Sequence, residues 1–421
     1  MANFNALAPV AEINRYVQLA NETKNLVNPE VFYSKQLLDT IRLDAKEYKY
    51  FKLADESPIQ DKADKLTLRR WAPLQAHTVP LVEGVPPKSD KGSVEKYEIQ
   101  ADQYGRYMEF TDKVDFKVVD PVLAHYSREY SIVAIETLDL LARETLFAVA
   151  NKFYAGVAAS IEEMTIENAK PSLTDLRLIA LHFKRTLIKP RKGVNYTVIC
   201  SPEFTYDMVE DPTVEKYMKI NQTTKNMYDG SVLFPMFNLE FEESLVVPAN
   251  GDMDVDDGGV TVKAKRLVRL DATSGEFEYK TLKATDDVEN PAGETVKALV
   301  VAEEGGYIKD SRTGQDASYI PNLETWNIDG CTIDGKDDWT ELKIHHILVV
   351  GKEALTRTGL VGQGQARMYT KPLGSAGVLD PIDQRQSIGF KINSVGFGST
   401  RTDAIMDYMC IPSTANLVWA E

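Results

Sequence analysis

Residues 66–113 constrain this chain more than any other stretch. LTLRRWAPL carries strand formers in loose alternation, and SVEKYEIQADQYGRYMEFTDKV returns with Val94, Tyr97, Ile99, Tyr104, Tyr107 and Phe110 in a β-rich context. Between them HTVPLVEGVPPKSDKG is rich in proline and glycine. The stretch predicts one long hairpin. A two-stranded hairpin is marginal in water on its own, and its open edges invite pairing with another chain. A fold containing this element has to lay it on a neighbour.

The rest of the 421 residues supplies ordinary globular material, 43% hydrophobic and 26% charged. Length predicts about two to three domains. The formal charge of −15 disfavours non-specific wrapping of nucleic acid, which needs a basic surface. Residues 251–341 hold 21 acidic and 10 basic side chains, so most of the imbalance sits there. Cys200, Cys331 and Cys410 are far apart, which predicts a reduced compartment, no disulfide framework and no metal ribbon. MANFNALAPVAE lacks the basic patch and apolar run of a signal peptide, and no run of about 18 apolar residues exists. The expectation is a soluble, intracellular product.

In chain order, residues 1–65 read as an arm, with a helical pattern at Val31–Tyr50 but no compact core. Asp120-Pro121 opens a long helix to about Tyr154, roughly 50 Å at 1.5 Å per residue. A second helix starts at Ser172 with Asp175 three residues on, a loose capping box, and ends at Pro190. YTVIC (196–200) is a buried-type strand, and Ser201-Pro202-Glu203 opens a third helix. SVLFPMFNLEFEESLVVP (231–248) and IHHILVVGKEAL (344–355) are strand-like, and the acidic region between them predicts a β-rich insertion. After Tyr369–Lys391, SIGFKINSVGFG and AIMDYMCIPS predict a final β-hairpin. The Tyr369–Lys391 block itself, with Gly374 and Gly377 permitting a bend, predicts a crossing between bodies.

Chemistry-bearing patterns are sparse. Asp252, Asp254 and Asp256 have calcium-loop spacing, but Asp257 and Lys263 stand where glycine and glutamate are needed, so a solvated acidic turn is expected. Adjacent strand residues point to opposite faces, so His345-His346 cannot chelate together. Gly362-Gln363-Gly364-Gln365 and Gly374-Ser375-Ala376-Gly377 lack the lysine of a phosphate loop. No GxSxG, HExxH or Cys–His signature occurs. The sequence predicts no catalytic residue, no cofactor and no metal. Arg69-Arg70-Trp71 sits amid mixed charge, which favours an intersubunit contact over a DNA contact.

Two stretches carry a resemblance. RRWAPLQAHTVPLVEGVPP (69–87), through Arg70, Ala72, Pro73, Leu74, Pro80, Leu81, Glu83, Gly84 and Val85, resembles the hairpin of tailed-bacteriophage major capsid proteins, specifically the N-four-type phage major capsid protein family. LVVGKEAL and KPLGSAGVLDPIDQRQSIGFK are similar as well, with Gly374, Ser375, Gly377, Asp380, Pro381, Gln384, Arg385 and Gly389 in family-like places. With QYGRYMEFTDKVDF, DPVL and YTVICSPE, the likeness covers about three quarters of the chain.

The resemblance implies an α+β fold, that of tailed-phage and herpesvirus major capsid proteins, with a β-rich insertion. It implies an N-terminal arm (1–65), an E-loop hairpin (66–113) and a P-domain with a spine helix (114–171). The A-domain would fall in two parts, 172–248 and 344–375, around the insertion at 249–343. The P-domain's C-terminal strands would occupy 376–421. The implied function is a major capsid protein of a tailed double-stranded DNA phage, forming hexamers and pentamers of an icosahedral shell assembled in the host bacterial cytoplasm. Implied partners are further copies, portal, decoration or scaffold proteins, and packaged DNA held non-specifically, with no membrane. Arg69, Arg70, Trp71, Pro73, Glu83 and Gly84 are the expected intersubunit contacts of the E-loop. Gly374, Gly377, Asp380, Asp383, Gln384 and Arg385 are the expected domain crossing or capsomer contacts. No covalent link through Lys88 or Lys91 is expected. The rival readings are an encapsulin-like compartment of the same fold and a soluble α/β enzyme.

Overall fold

The computed structural model describes residues 48–59, 65–72, 91–112, 122–156, 158–220, 235–257, 260–271, 276–289, 295–301, 306–309, 316–320, 324–328, 331–336, 338–361, 366–372 and 384–414, with single residues between 63 and 89. Elements in chain order are β1 (Ala54–Glu56), β2 (Lys65–Trp71), β3 (Val94–Gln100), β4 (Asp102–Thr111), α1 (Val122–Val149), β5 (Asn151–Tyr154), α2 (Leu173–Arg185), β6 (Tyr196–Cys200), α3 (Pro202–Glu210), α4 (Pro212–Ile220) and β7 (Leu239–Glu243). The insertion follows with β8 (Asp252–Asp257), β9 (Val260–Leu270), β10 (Phe277–Lys283), short strands β11 to β16 within 287–326, and β17 (Thr340–Glu341). The chain then forms β18 (His345–Val350), β19 (Leu355–Thr358), β20 (Ala366–Lys371), β21 (Arg385–Gly398) and β22 (Ile405–Cys410).

One body is a mixed five-stranded sheet in the order β5-β22-β18-β6-β7. Every residue of β6 and β22 is buried, as continuous apolar runs require when both faces are covered. Leu173, Leu176, Ile179 and Phe183 of α2 and Phe204 and Met208 of α3 complete its core. Ser172 caps α2 by accepting from the Thr174 N–H at 3.2 Å. Asp175 does not close the expected capping box: it is buried and accepts from the Tyr408 hydroxyl and the Gly156 N–H, both at 3.1 Å. Ser201 and Pro202 open α3 as expected.

The second sheet runs β1-β19-β21-β20, with β4 on the other side of β21. Tyr130, Ala134 and Leu138 of α1 pack on Phe110, Ile388, Phe390, Ile392 and Val395. Further along the same helix, Ala142 and Leu146 enter the first core. At 28 residues α1 is about 42 Å long, and it ties the two bodies together. The insertion has its own core, in which Leu267, Leu282, Val288, Ile328, Ile333 and Trp339 are buried.

Several expectations need correction. The long hairpin is two structures: among the described strands β2 pairs with β3 alone, as a separate ladder, whereas β4 belongs to the second sheet. The long helix ends at Val149, and 151–154 is a strand on β22 rather than a last helical turn. The final hairpin does not exist. β21 and β22 lie in different sheets, because β22 is apolar throughout and inserts between β5 and β18. The block at Tyr369–Lys391 does not cross between bodies: Tyr369 pairs with Gly389 and Lys371 with Ser387, so its flanks are antiparallel neighbours in one sheet. The acidic run at 252–257 is a strand, not a turn, because β9 places Lys263 opposite Asp254 and Lys265 opposite Asp252. The arm before residue 48, the Asp120-Pro121 helix start and both glycine-rich segments lie outside the described residues.

Candidate functional site

Among the described residues the hairpin β2–β3 packs on the second sheet at its root, and nearer its other end one side chain, Arg70, reaches Asp403. Ile99 is buried against Gly398, where a Cβ would lie 2.6 Å from the Ile99 Cγ1. A methyl group on Gly396 would collide with the Gln100 carbonyl. Two glycines in VGFG therefore seat the root, since only a residue without Cβ tolerates so close an approach. Beyond the root, no described strand covers either face. Residues of β2 alternate between exposed and half-buried, and Trp71 is 72% exposed. Leu74 just beyond is also exposed. Burying an indole is worth far more than a typical surface contact, so the exposed Trp71 leaves a large apolar surface in water at the ladder's end.

The expected contact residues are not equivalent. Arg69 and Trp71 share the exposed side of β2, with Lys96 and Val94 as their cross-strand partners. Arg70 points the other way, and its guanidinium lies 3.7 Å from Asp403 of the same chain, with both side chains about 40% exposed. Glu83 is exposed in a turn, and Pro73 and Gly84 lie outside the described residues.

In the second group, the Gln384 carbonyl accepts from the Asp112 N–H at 2.9 Å. The Arg385 guanidinium lies 3.9 Å from the Glu109 carboxylate, and both side chains are largely buried. These two tether β21 to β4 within the sheet. Gly374, Gly377, Asp380 and Asp383 are outside the described residues.

The sequence reading missed β20. All six of its residues are exposed, and among the described strands it has β21 as its one partner. It therefore offers an edge carrying Arg367, Met368, Tyr369 and Lys371. The signal was legible: a short Tyr/Thr-containing run bounded by Gly364 on one side and Pro372 on the other.

The polar groups inside the body serve the fold. His345 and His346 do face opposite ways. His345 Nδ1 is 2.8 Å from the Ser201 Oγ, and His346 bridges Asp407 at 2.9 Å and Asn250 at 3.1 Å. Burial holds the His345 pKa below the ordinary imidazole value. The Ser201 hydroxyl is buried and already accepts the Phe204 N–H as the helix cap, so this serine–histidine pair faces no substrate. Asp252 forms an ion pair with Lys265 at 3.2 Å across the β8–β9 ladder. Among the described residues no cluster of three or more histidine, cysteine or acidic side chains is arranged to hold a metal.

No family model and no curated protein matches the chain. Solved structures do. A chain of the bacteriophage PhiM1 mature capsid aligns with a TM-score of 0.50 at 11% identity, over 90% of this chain and 91% of that one. A chain of the capsid of Ralstonia phage GP4 aligns at 0.50 and 9% identity, over 91% and 95%. In both cases the alignment spans nine tenths or more of each chain. This chain has the capsid fold of tailed phages, with a β-rich insertion.

Proposed function

We propose that the chain is a major capsid protein of a tailed double-stranded DNA phage, building hexamers and pentamers of an icosahedral shell. The observation that carries this reading is the hairpin β2–β3, attached at its root and presenting Trp71 to solvent. Within the capsid fold it takes the part of the E-loop, α1 that of the spine helix, the β5-β22-β18-β6-β7 sheet that of the A-domain and the β21 sheet that of the P-domain. Its job is assembly rather than catalysis. Hairpin and β20 edge bury their surfaces only on further copies, so association completes the fold of each subunit.

Arg69, Trp71, Pro73, Glu83 and Gly84 are assigned to contacts between subunits, with Arg70 switching between Asp403 and a neighbour. Gly374, Gly377, Asp380 and Asp383 are assigned to capsomer contacts. The acidic insertion belongs on the outer face, because its charge beside packaged DNA would be repelled. There it is available to decoration proteins, while portal and scaffold proteins would meet the shell elsewhere. The shell forms in the host cytoplasm and ends in the virion.

Electron microscopy of the purified chain after self-assembly tests this reading. Closed angular particles able to package DNA are expected. Small particles holding protein cargo would assign the same fold to a compartment shell, and a monodisperse monomer at high concentration would refute both.

A further inference from the structure

The chain enters the described body at residues 48–53, and the entry is built around one buried acid. Asp139 projects from the middle of α1 and is wholly buried. Its Oδ1 accepts the Phe51 N–H at 2.8 Å, and its Oδ2 is buried without a hydrogen-bond partner. Tyr50 beside it is equally buried, and its hydroxyl also has no partner. Phe51 in turn sits edge-on to Phe397 and under the Arg357 guanidinium, 4.7 Å from its ring, so the second sheet holds the same short segment. Arg191 binds the Lys52 carbonyl at 3.1 Å, and the Lys49 ammonium reaches the Glu243 carbonyl. Residues 49–53 thus touch the helix, the second sheet and the first body at once.

The charges facing this acid come from each of those elements. Arg143 lies one turn on along α1 but donates to the Val246 carbonyl at 3.1 Å. Lys52 belongs to the entry segment, and its attraction for Asp139 is weak. Asp407 of β22 acts on Tyr50 and is buried, with one oxygen bare and the other on His346. Cys200 of β6 and the Tyr50 hydroxyl complete the surroundings, and burial keeps both neutral. Among the described residues no cation forms an ion pair with Asp139.

We propose that Asp139 is a proton-operated latch that fastens the root of the N-terminal segment to α1, tight when the carboxyl is protonated and loosened when it is ionised. Burial raises the Asp139 pKa to about 6, against the opposing effects of the Phe51 N–H and Arg143. A carboxyl whose pKa is raised in the closed state favours closure below that pKa, and the advantage is lost as pH rises through it. The latch therefore tightens on acidification across the range from pH 7 to 5. It depends on the position of the entry segment and not on shell formation, so it stands or falls separately from the assembly reading.

Hydrogen exchange with mass spectrometry on the full chain, following the peptide spanning residues 48–53 and corrected for intrinsic pH dependence, reads the latch. Protection should rise about tenfold from pH 7.5 to pH 5 in the wild type. Asp139→Asn, which mimics the protonated acid, should be well protected at pH 7.5 and flat with pH. His346→Gln, which removes the imidazole bound to Asp407 and leaves Asp139 and Phe51 in place, should keep the wild-type slope. A flat or inverse wild-type profile overturns the proposal even if the Asp139 variant fails to fold. So does a wild-type slope in Asp139→Asn, or loss of the slope in His346→Gln.

Discussion

Gly396 and Gly398 decide where the hairpin stands. A methyl group at 396 collides with backbone, which cannot move aside as a flexible side chain would. Gly396→Ala should cost about 1–3 kcal/mol of subunit stability and release the hairpin root, read as a lower Tm and new protease cleavage near residue 100. Leu187 is the opposite case. It ends α2 with φ at +57° and is 82% exposed, a position where glycine is ordinarily preferred. Leu187→Gly should stabilise the isolated subunit by about 0.5–1 kcal/mol in chemical denaturation. Neither glycine's role was legible beforehand. VGFG reads as strand, and which backbone approaches it is set by residues 300 positions earlier.

At the scale of elements, local chemistry was read well and pairing was not. Helix starts at Ser172 and Ser201, the buried strand YTVIC and the strand character of the insertion follow from caps and periodicity. The final hairpin failed because two apolar runs separated by a short turn look alike whether they pair with each other or with distant strands. β22 is captured by β5 and β18, whose paired residues lie 255 and as few as 55 positions away (Met406 with Asn151, Ile405 with Val350). The same failure split the long hairpin, where Asp102–Thr111 follows its ladder to β21. The candidate site was half legible: Arg-Arg-Trp marks a charged and aromatic strand end, and the structure leaves Trp71 exposed there, but nothing local shows that Arg70 meets Asp403. That pair is surface-exposed, so Arg70→Ala should change subunit stability by less than about 1 kcal/mol. Trp71→Ala should leave subunit Tm unchanged, because the ring is in water, yet raise the critical concentration for assembly by about tenfold or more. Light scattering against concentration measures the difference.

At the scale of the whole molecule, two bodies share one long helix, and the parts that make a subunit social stand off them. The insertion carries its own core and an ion network in which Arg269 meets Glu278 at 2.8 Å and Asp338 at 2.6 Å. It adds acidity without lending side chains to the β21 sheet's core. The hairpin adds almost no core of its own beyond Ile99. Replacing residues 72–93 by a tight turn between Trp71 and Val94 should therefore leave a folded, soluble subunit that no longer closes into shells.

A density map of the assembled particle tests the central claim most directly, by showing where β2–β3 lies. Each hairpin should rest on an adjacent copy, with Trp71 losing most of its exposure there. A particle in which the hairpin folds back on its own subunit, with Trp71 still in solvent, would contradict it.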